Sequence, residues 1–447
     1  MKVRLLLIWN RLQESYWFIP GVFSLLALLL AFIAPLVEKK YAAEVVSALN
    51  TLVSIDVSGA RTLLSAIIGS SMTVIGVVFS ILIAVLANAS TQFGPGLLPR
   101  FMRLKTTQVT LGIFLACFVY AMGVFTQIDD ISNVDGNAAV LSVIVSIILG
   151  MISFFVLIHF IHCITHFLQP LSIINSVADD LQGTLSTAYP VYDDNNQCRS
   201  STSGYASLSK QLNTDEARTV TAPRNGYLQA VGFHALEKIV EEKSVSVDLC
   251  TPPGTFVLED DTLARFVTDA EPDDDVDDLL QGVFVIGERR DSMQDPGYAM
   301  EQLVEIAVRA LSPGVNAPFL ALQCLNQICA ALVLVAARSK PLQVKTVGRH
   351  FWTSNWYAYD DLCFSAFSLL RQYGDSCEEI TLALLKIITR VLDEDVEPEY
   401  RDALLSHAAL INQRAELVSK QQGIRNVIRQ QFQELQHSWA SSNNPDK

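Results

Sequence analysis

Four long stretches of uncharged and mostly apolar residues dominate the first 170 positions of the chain. A helix needs about 20 apolar residues to cross roughly 30 Å of hydrocarbon, and every one of these stretches reaches that length. The pattern therefore predicts a transmembrane domain over residues 1–170 with about four membrane-spanning helices. The spans are predicted at residues 17–37, 62–89, 106–128 and 138–168.

The pattern changes after residue 170, where shorter amphipathic segments alternate with polar ones. Residues 171–224 are predicted to form a helical extension and a linker. Short segments of alternating apolar residues predict a small β-rich module over residues 225–290. Apolar positions at spacings of three and four predict a helical domain over residues 291–440, followed by a disordered tail at 441–447. The predicted fold class is a mostly α-helical membrane protein with four transmembrane helices and a cytoplasmic α+β region.

The charges in the short loops predict how the chain is oriented. Arg100, Arg103 and Lys105 lie between the second and third spans, and three more basic residues precede the first span. The loop between the third and fourth spans holds three aspartates and no basic residue. Because cytoplasmic loops are enriched in Lys and Arg, both termini are predicted to be cytoplasmic. Residues 38–61 are predicted to be a short loop of mixed charge on the outer side.

Charge and motif content exclude several classes of function. Residues 1–170 carry nine basic and seven acidic residues, whereas residues 171–447 carry 23 and 39. Nucleic-acid phosphates need a basic surface, so no nucleic-acid partner is expected. The eight cysteines form no CxxC pair, which favours reduced thiols over a disulfide framework. No P-loop, nucleophile elbow, zinc-protease or dinucleotide motif occurs, so we expect neither an enzyme nor a cofactor.

Small and weakly polar residues recur at helical spacing in the second stretch. Spacings of three and four place them on one face of a helix. One interpretation is that this face lets neighbouring helices approach closely. The other is that it lines a water-filled path, and the two are compatible in a homo-oligomer. The candidate pore-lining or helix-packing residues are Gly69, Thr73, Gly76, Ser80 and Asn88.

The segment that follows the second stretch is rich in turn-forming and basic residues. One interpretation is that it forms the inner mouth of a path, either as a constriction or as a ring of charge in an oligomer, where the two arginines favour anions. The alternative is an ordinary helix end with the basic residues of a cytoplasmic loop. The residues concerned are Gln92, Phe93, Gly94, Pro95, Arg100 and Arg103.

Three histidines, His159, His162 and His166, share one helical face near the end of the fourth stretch. Imidazoles at this spacing are weak candidates for a metal site or a proton relay. No carboxylate lies within one turn of them, so we expect no metal and favour histidines packed against polar groups. The acidic run at residues 271–278 lacks the glycine and the spacing of an EF-hand loop, and is predicted to be a solvated loop.

Two short segments of the cytoplasmic part are further candidates. One lies between two apolar helices and predicts a sharp interhelical corner, in which a serine caps a helix end. The other, formed by Arg289, Arg290 and Asp291, either pairs with the acidic surface or binds an effector. The residues of the corner motif are Ser312, Pro313, Gly314 and Asn316.

Three segments carry a resemblance to a known family. They are GVVFSILIAVLANASTQFGPGLLPRFMR at 76–103, GYLQAVGFHALEKIVEEKSVSVDLCTPPGTFV at 226–257 and ERRDSMQDPGYAMEQLVEIAVRALSPGVNAPFLA at 288–321. In these segments the chain resembles the DUF2254 family of predicted bacterial inner-membrane proteins. The resemblance implies a bacterial inner membrane and the domain order given above, and implies no settled activity. The family pattern usually has Asn-Asp-Pro where this chain has Asn316, Ala317 and Pro318, so no carboxylate role is carried over there.

The leading functional hypothesis is an oligomeric inner-membrane protein with a channel-like or transport role. The small-residue face and the Gly-Pro-Gly mouth favour it, and the cytoplasmic half would then serve assembly and gating. The alternative is a membrane-anchored scaffold or sensor, whose cytoplasmic half binds a protein or a small-molecule effector. The expected partners are the lipid bilayer and further copies of the chain, and the alternative adds a cytoplasmic protein or a small-molecule effector.

Overall fold

The fold is known from a computed structural model, in which the chain divides into two compact units, Met1–Gln169 and Pro170–Lys447. The predicted tail at 441–447 lies outside the described residues except for its first two positions. The structure describes residues 17–50, 57–94, 105–131, 140–167, 169–189, 217–268, 275–338, 344–347, 350–354, 356, 358–374, 377–394, 396–419 and 422–442.

Four long helices are described in the first unit. They are α1 (Phe18–Asn50), α2 (Val57–Phe93), α3 (Lys105–Ile131) and α4 (Val140–Phe167). All four are long and apolar enough to cross a membrane. The predicted loop at 38–61 is largely helical, because α1 runs on to Asn50 and α2 begins at Val57. Charge alone does not end a helix, and residues 38–50 contain neither Gly nor Pro.

Helix α3 is the centre of the first unit, since it packs against α1, α2 and α4. The backbones of α1 and α3 come close together, and a Cβ atom added at Gly123 would lie 2.7 Å from the Cβ of Ala31. The Gln127 side chain donates a hydrogen bond to the Ala31 carbonyl (3.3 Å). Tyr120, which is fully buried, donates to the Ser142 carbonyl on α4 (3.3 Å). Gly123 therefore lets α1 come close to α3, and side chains of α3 form hydrogen bonds with both α1 and α4.

The second unit contains two β-sheets and a layer of helices. Its five-stranded sheet has the order β1-β5-β3-β8-β7, and its three-stranded sheet has the order β4-β2-β6. The β3–β8 pair is parallel, with Val247 opposite Trp352, and the other pairs are antiparallel. The strands are β1 (Arg218–Thr221), β2 (Gly226–Val231), β3 (Val245–Leu249), β4 (Phe256–Val257), β5 (Thr262–Thr268), β6 (Phe284–Gly287), β7 (Val344–Val347) and β8 (His350–Ser354).

The β-rich region is wider than the predicted module at 225–290. Strand β1 comes from the segment predicted as a linker, and the β7–β8 hairpin comes from within the predicted helical domain. Trp352 of β8 belongs to the same buried core as Val247 and Phe266. The pairing of β3 with β8 joins residues about a hundred positions apart, and a local pattern of alternating residues does not reveal such a contact.

One helix of the second unit begins within residues 271–278, which are predicted to be an acidic loop. Helix α7 begins at Asp275, and Asp277 and Asp278 also lie in its first turn. Acidic residues there are favourable because the N-terminal end of a helix carries partial positive charge. The helices are α5 (Pro170–Ala188), α6 (Phe233–Glu242), α7 (Asp275–Gln281), α8 (Pro296–Ala310), α9 (Pro318–Ala336), α10 (Tyr359–Tyr373), α11 (Glu378–Leu392), α12 (Pro398–Val418) and α13 (Gln422–Ser442).

Helix α9 is a fifth described helix that is long and apolar enough to span a membrane, one more than the four predicted. Its apolar side is buried within the second unit, where it packs against α5, α8 and α11. The Leu332 carbonyl of α9 accepts a hydrogen bond from the Tyr400 hydroxyl (3.1 Å). Length and composition alone therefore do not separate this helix from α1–α4.

Candidate functional site

The predicted small-residue face of α2 is exposed in the single chain. Gly69, Thr73, Gly76, Ser80 and Asn88 all lie on the exposed side, while the opposite side packs into the unit with residues such as Leu64, Val78 and Leu82. Within the described part of the chain, a Cβ atom added at Gly69 or Gly76 would meet no heavy atom within 4 Å. This face is therefore open to lipid or to another copy.

The hydroxyl groups on this face are bonded to their own helix. The Thr73 hydroxyl donates to the Gly69 carbonyl (2.9 Å), and the Ser80 hydroxyl donates to the Gly76 carbonyl (2.9 Å). The Gln92 amide donates to the Asn88 side-chain oxygen (3.1 Å). Each group keeps free acceptor or donor capacity, so the face is weakly polar without being charged.

The predicted inner mouth is described only in part. Gly94 ends α2 with φ at +99°, the left-handed conformation that glycine favours at a helix end. Phe93 was predicted to lie at the inner mouth. It is instead buried in the unit, with 2% of its surface exposed. Helical periodicity explains this, because Phe93 continues the buried stripe of Val85 and Ala89. Pro95, Arg100 and Arg103 lie outside the described residues.

Two of the three predicted histidines of α4, His162 and His166, line a cavity of about 270 Å³. His159, His162 and His166 are exposed, and the Cys163 sulfur lies 3.4 Å from His159 Nε2. Among the described residues, no group of three or more His, Cys, Asp or Glu side chains is arranged to hold a metal ion. The cavity is lined by Thr106, Thr107, Phe160, His162, Cys163, Ile164 and His166. The start of α3 and the end of α4 thus lie at the same end of the first unit.

In the second unit, Arg290 lies at the centre of a network of two carboxylates and an aromatic ring. Its Nε and Nη2 atoms donate to Asp295 Oδ2 at 3.0 and 2.7 Å, and its Nη1 atom donates to Glu301 Oε2 at 2.8 Å. The guanidinium carbon also lies 4.9 Å from the ring centre of Tyr298, within the range of a cation–π interaction. Arg290 therefore bridges two carboxylates, that of Asp295 at the N-cap of α8 and that of Glu301 within α8.

Local sequence explains why these groups meet. Asp295 is the N-cap of α8, and its Oδ1 accepts the backbone N–H of Tyr298 (2.9 Å). Pro296 occupies the first turn, where its missing N–H costs little. Gly254, at the end of the Pro-Pro-Gly turn, has φ at +93°, and a Cβ there would overlap the Asp295 carboxylate. Two of the three segments that carry the family resemblance thus converge at Asp295.

A cavity of about 240 Å³ adjoins this network. Burial raises the pKa of Glu301, and the Arg290 charge and a Ser365 hydrogen bond oppose the rise. Burial alone would lower the pKa of Arg290, but pairing with Asp295 and Glu301 outweighs it, so the pKa is raised. The cavity is lined by Tyr189, Pro252, Pro253, Arg290, Asp295, Pro296, Gly297, Glu301, Ala358, Asp361, Leu362, Phe364 and Ser365.

In the sequence, Arg290 stands out only as part of the charged segment Arg289, Arg290 and Asp291. Its partners Asp295 and Glu301 were missed, although Asp-Pro-Gly before an apolar helix is a recognisable N-cap signal. Asp361 and Ser365 of α10 come from a distant part of the chain, and no local signal marks them.

The chain is similar to a family of predicted membrane proteins, which is consistent with the long apolar helices of the first unit. The family model described as "Predicted membrane protein (DUF2254)" matches residues 13–390. The chain belongs to this family. Uncharacterised proteins of Mycobacterium bovis and Mycobacterium tuberculosis are 28% identical over 365 residues, which is 79% of this chain and 67% of theirs. No solved structure matches the chain.

The match to the family includes the interhelical corner between α8 and α9. The Ser312 hydroxyl donates to the Arg309 carbonyl (2.6 Å), and the Ala317 N–H donates to the Ala310 carbonyl (2.7 Å). Asn316 has φ at +46°, and Pro313 and Gly314 are exposed. Ala317 is the N-cap of α9 and makes no side-chain capping bond.

Proposed function

We propose that the chain is a homo-oligomeric, non-enzymatic membrane protein with a channel-like or transport role. In this proposal the weakly polar face of α2 forms the contact between copies and borders a path across the bilayer. The observation that carries it is the exposure of Gly69 and Gly76, neither of which would bring a Cβ within 4 Å of any described heavy atom.

The physical argument concerns what drives helices together in lipid. Helix association there depends on close packing and on hydrogen bonds between helices, because lipid tails are as apolar as the side chains. A face of Gly, Thr and Ser is poor at filling space against lipid and good at close approach between backbones. Residues 62–89 carry no charge, so a path along this face would present hydroxyl and amide groups only.

The orientation that we propose places α1–α4 across the inner membrane and both termini in the cytoplasm. The basic residues between α2 and α3 support this orientation. The start of α3 and the end of α4 line one cavity and so lie on the same side, and the basic residues before α3 then favour the cytoplasm for both ends. The second unit is cytoplasmic in this proposal and serves assembly and gating.

Leucine substitutions on α2 test the proposal. The Gly69→Leu and Gly76→Leu variants should keep the stability of the single chain, but shift the size in detergent toward a monomer. Conductance of the purified protein in planar bilayers should fall with it. Gly150→Leu on α4 is the matched control, because Gly150 also has no described heavy atom within 4 Å of an added Cβ. Unchanged oligomer size in the α2 variants contradicts the α2 contact. Absence of conductance in the oligomeric wild type contradicts the channel-like role.

A second candidate function is a membrane-anchored sensor, and the Arg290 cavity favours it. The cavity has apolar walls at Pro252, Pro253 and Phe364, and its carboxylates outnumber its one arginine. A small molecule with a positively charged group and a short apolar part fits that lining. Small amines should raise the melting temperature of the wild-type protein in detergent, and Asp361→Asn should reduce the increase. No increase across a series of amines contradicts this ligand class.

A further inference from the structure

The cavity between the start of α3 and the end of α4 has both apolar and hydrogen-bonding residues in its lining. We call this cavity of about 270 Å³ the α3–α4 cavity. Phe160 and Ile164 supply apolar lining, and both are buried in a cluster with Leu111 of α3. Two hydroxyls, two imidazoles and a thiol supply the polar lining, from Thr106, Thr107, His162, His166 and Cys163. Such a lining fits an amphipathic ligand.

The α3–α4 cavity lies where two candidate membrane spans end. The segments long and apolar enough to cross a membrane are Lys105–Ile128 and Leu141–His166, so the cavity is lined by the first residues of one and the last residues of the other. In a bilayer this level is the boundary between the hydrocarbon and the lipid head groups. His162 and His166 are exposed, so a ligand can enter from outside the unit. This holds for either orientation of the chain.

The charge of the chain around the cavity favours an anion. Lys105, which is exposed, directly precedes Thr106 in the cavity lining. No Asp or Glu occurs at residues 57–128 or 136–178, the segments that contain all the lining residues. A phosphate group therefore meets an ammonium group and imidazole and hydroxyl donors. The ammonium group of a zwitterionic lipid would meet no carboxylate from these segments.

The volume of the α3–α4 cavity favours a lipid over a soluble molecule. Pockets for small molecules typically enclose roughly 300–1,000 Å³ and bury most of their ligand. About 270 Å³ lies just below that range, so the cavity holds one part of an amphipathic molecule. A lipid needs no larger cavity, because its acyl chains stay in the surrounding hydrocarbon.

We propose that the α3–α4 cavity binds the phosphate head group of an anionic phospholipid. The His162 and His166 imidazoles donate hydrogen bonds to phosphate oxygens, and Lys105 supplies the positive charge. The acyl chains lie along the outside of α4, where Ile158 and Ile161 are 53% and 50% exposed. This inference does not depend on the role proposed for α2.

The test measures which lipid the full-length protein retains in neutral detergent. Native mass spectrometry compares the lipid-bound protein after addition of phosphatidylglycerol or phosphatidylethanolamine with the same acyl chains. One lysine beside an anionic head group accounts for a change of about five-fold. We therefore expect the wild type to retain phosphatidylglycerol at least about five-fold more than phosphatidylethanolamine.

Two variants remove groups of the cavity. Lys105→Gln should lower the retention of phosphatidylglycerol about five-fold and leave that of phosphatidylethanolamine unchanged. His162→Ala combined with His166→Ala should lower it by about five-fold or more. Lys105 is exposed, so its replacement keeps the test decisive even where the histidine pair is needed for folding.

Matched controls come from the same helices. His159→Ala removes an exposed imidazole of α4 that is outside the described cavity lining. Arg61→Gln removes an exposed basic residue beside Ala60 and Leu64 of α2, whose cluster includes Ile128 at the far end of α3. Both controls should retain phosphatidylglycerol as the wild type does. Gly76→Leu should also retain it, which separates this result from the α2 contact.

Three results would overturn the proposal. Equal retention of the two lipids by the wild type would show that the head-group charge is not recognised. Wild-type retention of phosphatidylglycerol in both cavity variants, or an equal loss in the controls, would place the lipid elsewhere. Complete displacement of the lipid by an excess of inorganic phosphate would show a site for free phosphate.

Discussion

Gly254 lies directly against Asp295, so that a Cβ atom at position 254 would overlap Oδ2 of the aspartate. The same oxygen accepts two hydrogen bonds from Arg290. The backbone of Gly254 is also held by a hydrogen bond from its N–H to the Leu228 carbonyl (2.7 Å). A turn of the β-rich region and the N-cap of α8 are therefore packed together at a position that only glycine fits.

Replacing Gly254 by alanine should destabilise the second unit. The backbone has φ at +93°, which costs a residue with a Cβ roughly 1–3 kcal/mol, and the overlap with Asp295 adds to that cost. The apparent melting temperature in detergent should fall by several degrees. Gly314→Ala is the control, since Gly314 is exposed and has no described heavy atom within 4 Å of an added Cβ. Equal melting temperatures for the two variants would contradict the close contact.

Replacing Arg290 by methionine should lower the free energy of unfolding more than the same replacement of its neighbour Arg289. The Asp295 side chain is only 6% exposed, and Arg290→Met leaves this carboxylate without its partner. Breaking a buried ion pair on one side costs roughly 3–5 kcal/mol. Arg289→Met is the matched control, because Arg289 is exposed and should change stability by no more than about 0.5 kcal/mol. Denaturant unfolding in detergent measures both variants.

The pH dependence of stability should report on Glu301. Burial raises its folded-state pKa above the ordinary value of 4.5. As pH rises above 4.5, the unfolded state ionises first, so stability falls until the folded pKa is passed. Glu301→Gln removes this loss. The melting temperature of the variant relative to wild type should therefore be higher at pH 7.5 than at pH 4.0. A difference that is independent of pH would show that Glu301 ionises as readily as in the unfolded chain.

The parts of the fold that sequence could predict are those set by local pattern. The four apolar stretches became α1–α4, and the alternating residues at 226–231 became β2. The extension of α1 to Asn50 was not predicted, because the charged residues at 38–40 end the apolar stretch without ending the helix. The β7–β8 hairpin was missed because its partner, β3, lies about a hundred positions earlier, and local alternation does not reveal that pairing.

At the Arg290 site, too, the features set by local sequence were predictable, and those set by tertiary packing were not. Asp-Pro-Gly at 295–297 is a local capping signal, and it could have been found. The approach of Gly254 to Asp295 and of Ser365 to Glu301 depends on tertiary packing. The open face of α2 was predictable in its composition, but only the packing of α3 decides that this face is left outside.

An aspartate in place of Ala317 should stabilise α9. Ala317 is the N-cap of α9 and makes no side-chain hydrogen bond to the helix. Aspartate there can accept a backbone N–H of the first turn, which is worth roughly 0.5–2 kcal/mol. Ala317→Asp should raise the melting temperature in detergent, and Ala317→Leu, which has no acceptor, should not. A lower melting temperature for the aspartate variant would mean that the corner cannot orient the side chain toward the helix.

The contact between α1 and α3 should respond sharply to a single methyl group. A Cβ atom at Gly123 would lie 2.7 Å from the Cβ of Ala31, which is fully buried. Neither group can rotate away, so Gly123→Ala must push the helices apart and lengthen the Gln127 to Ala31 hydrogen bond. Overpacking of this kind costs roughly 1–3 kcal/mol. Gly150→Ala adds the same methyl group to α4, where no described heavy atom lies within 4 Å of it. We expect a lower melting temperature for Gly123→Ala alone, and equal values would contradict the packing of α1 on α3.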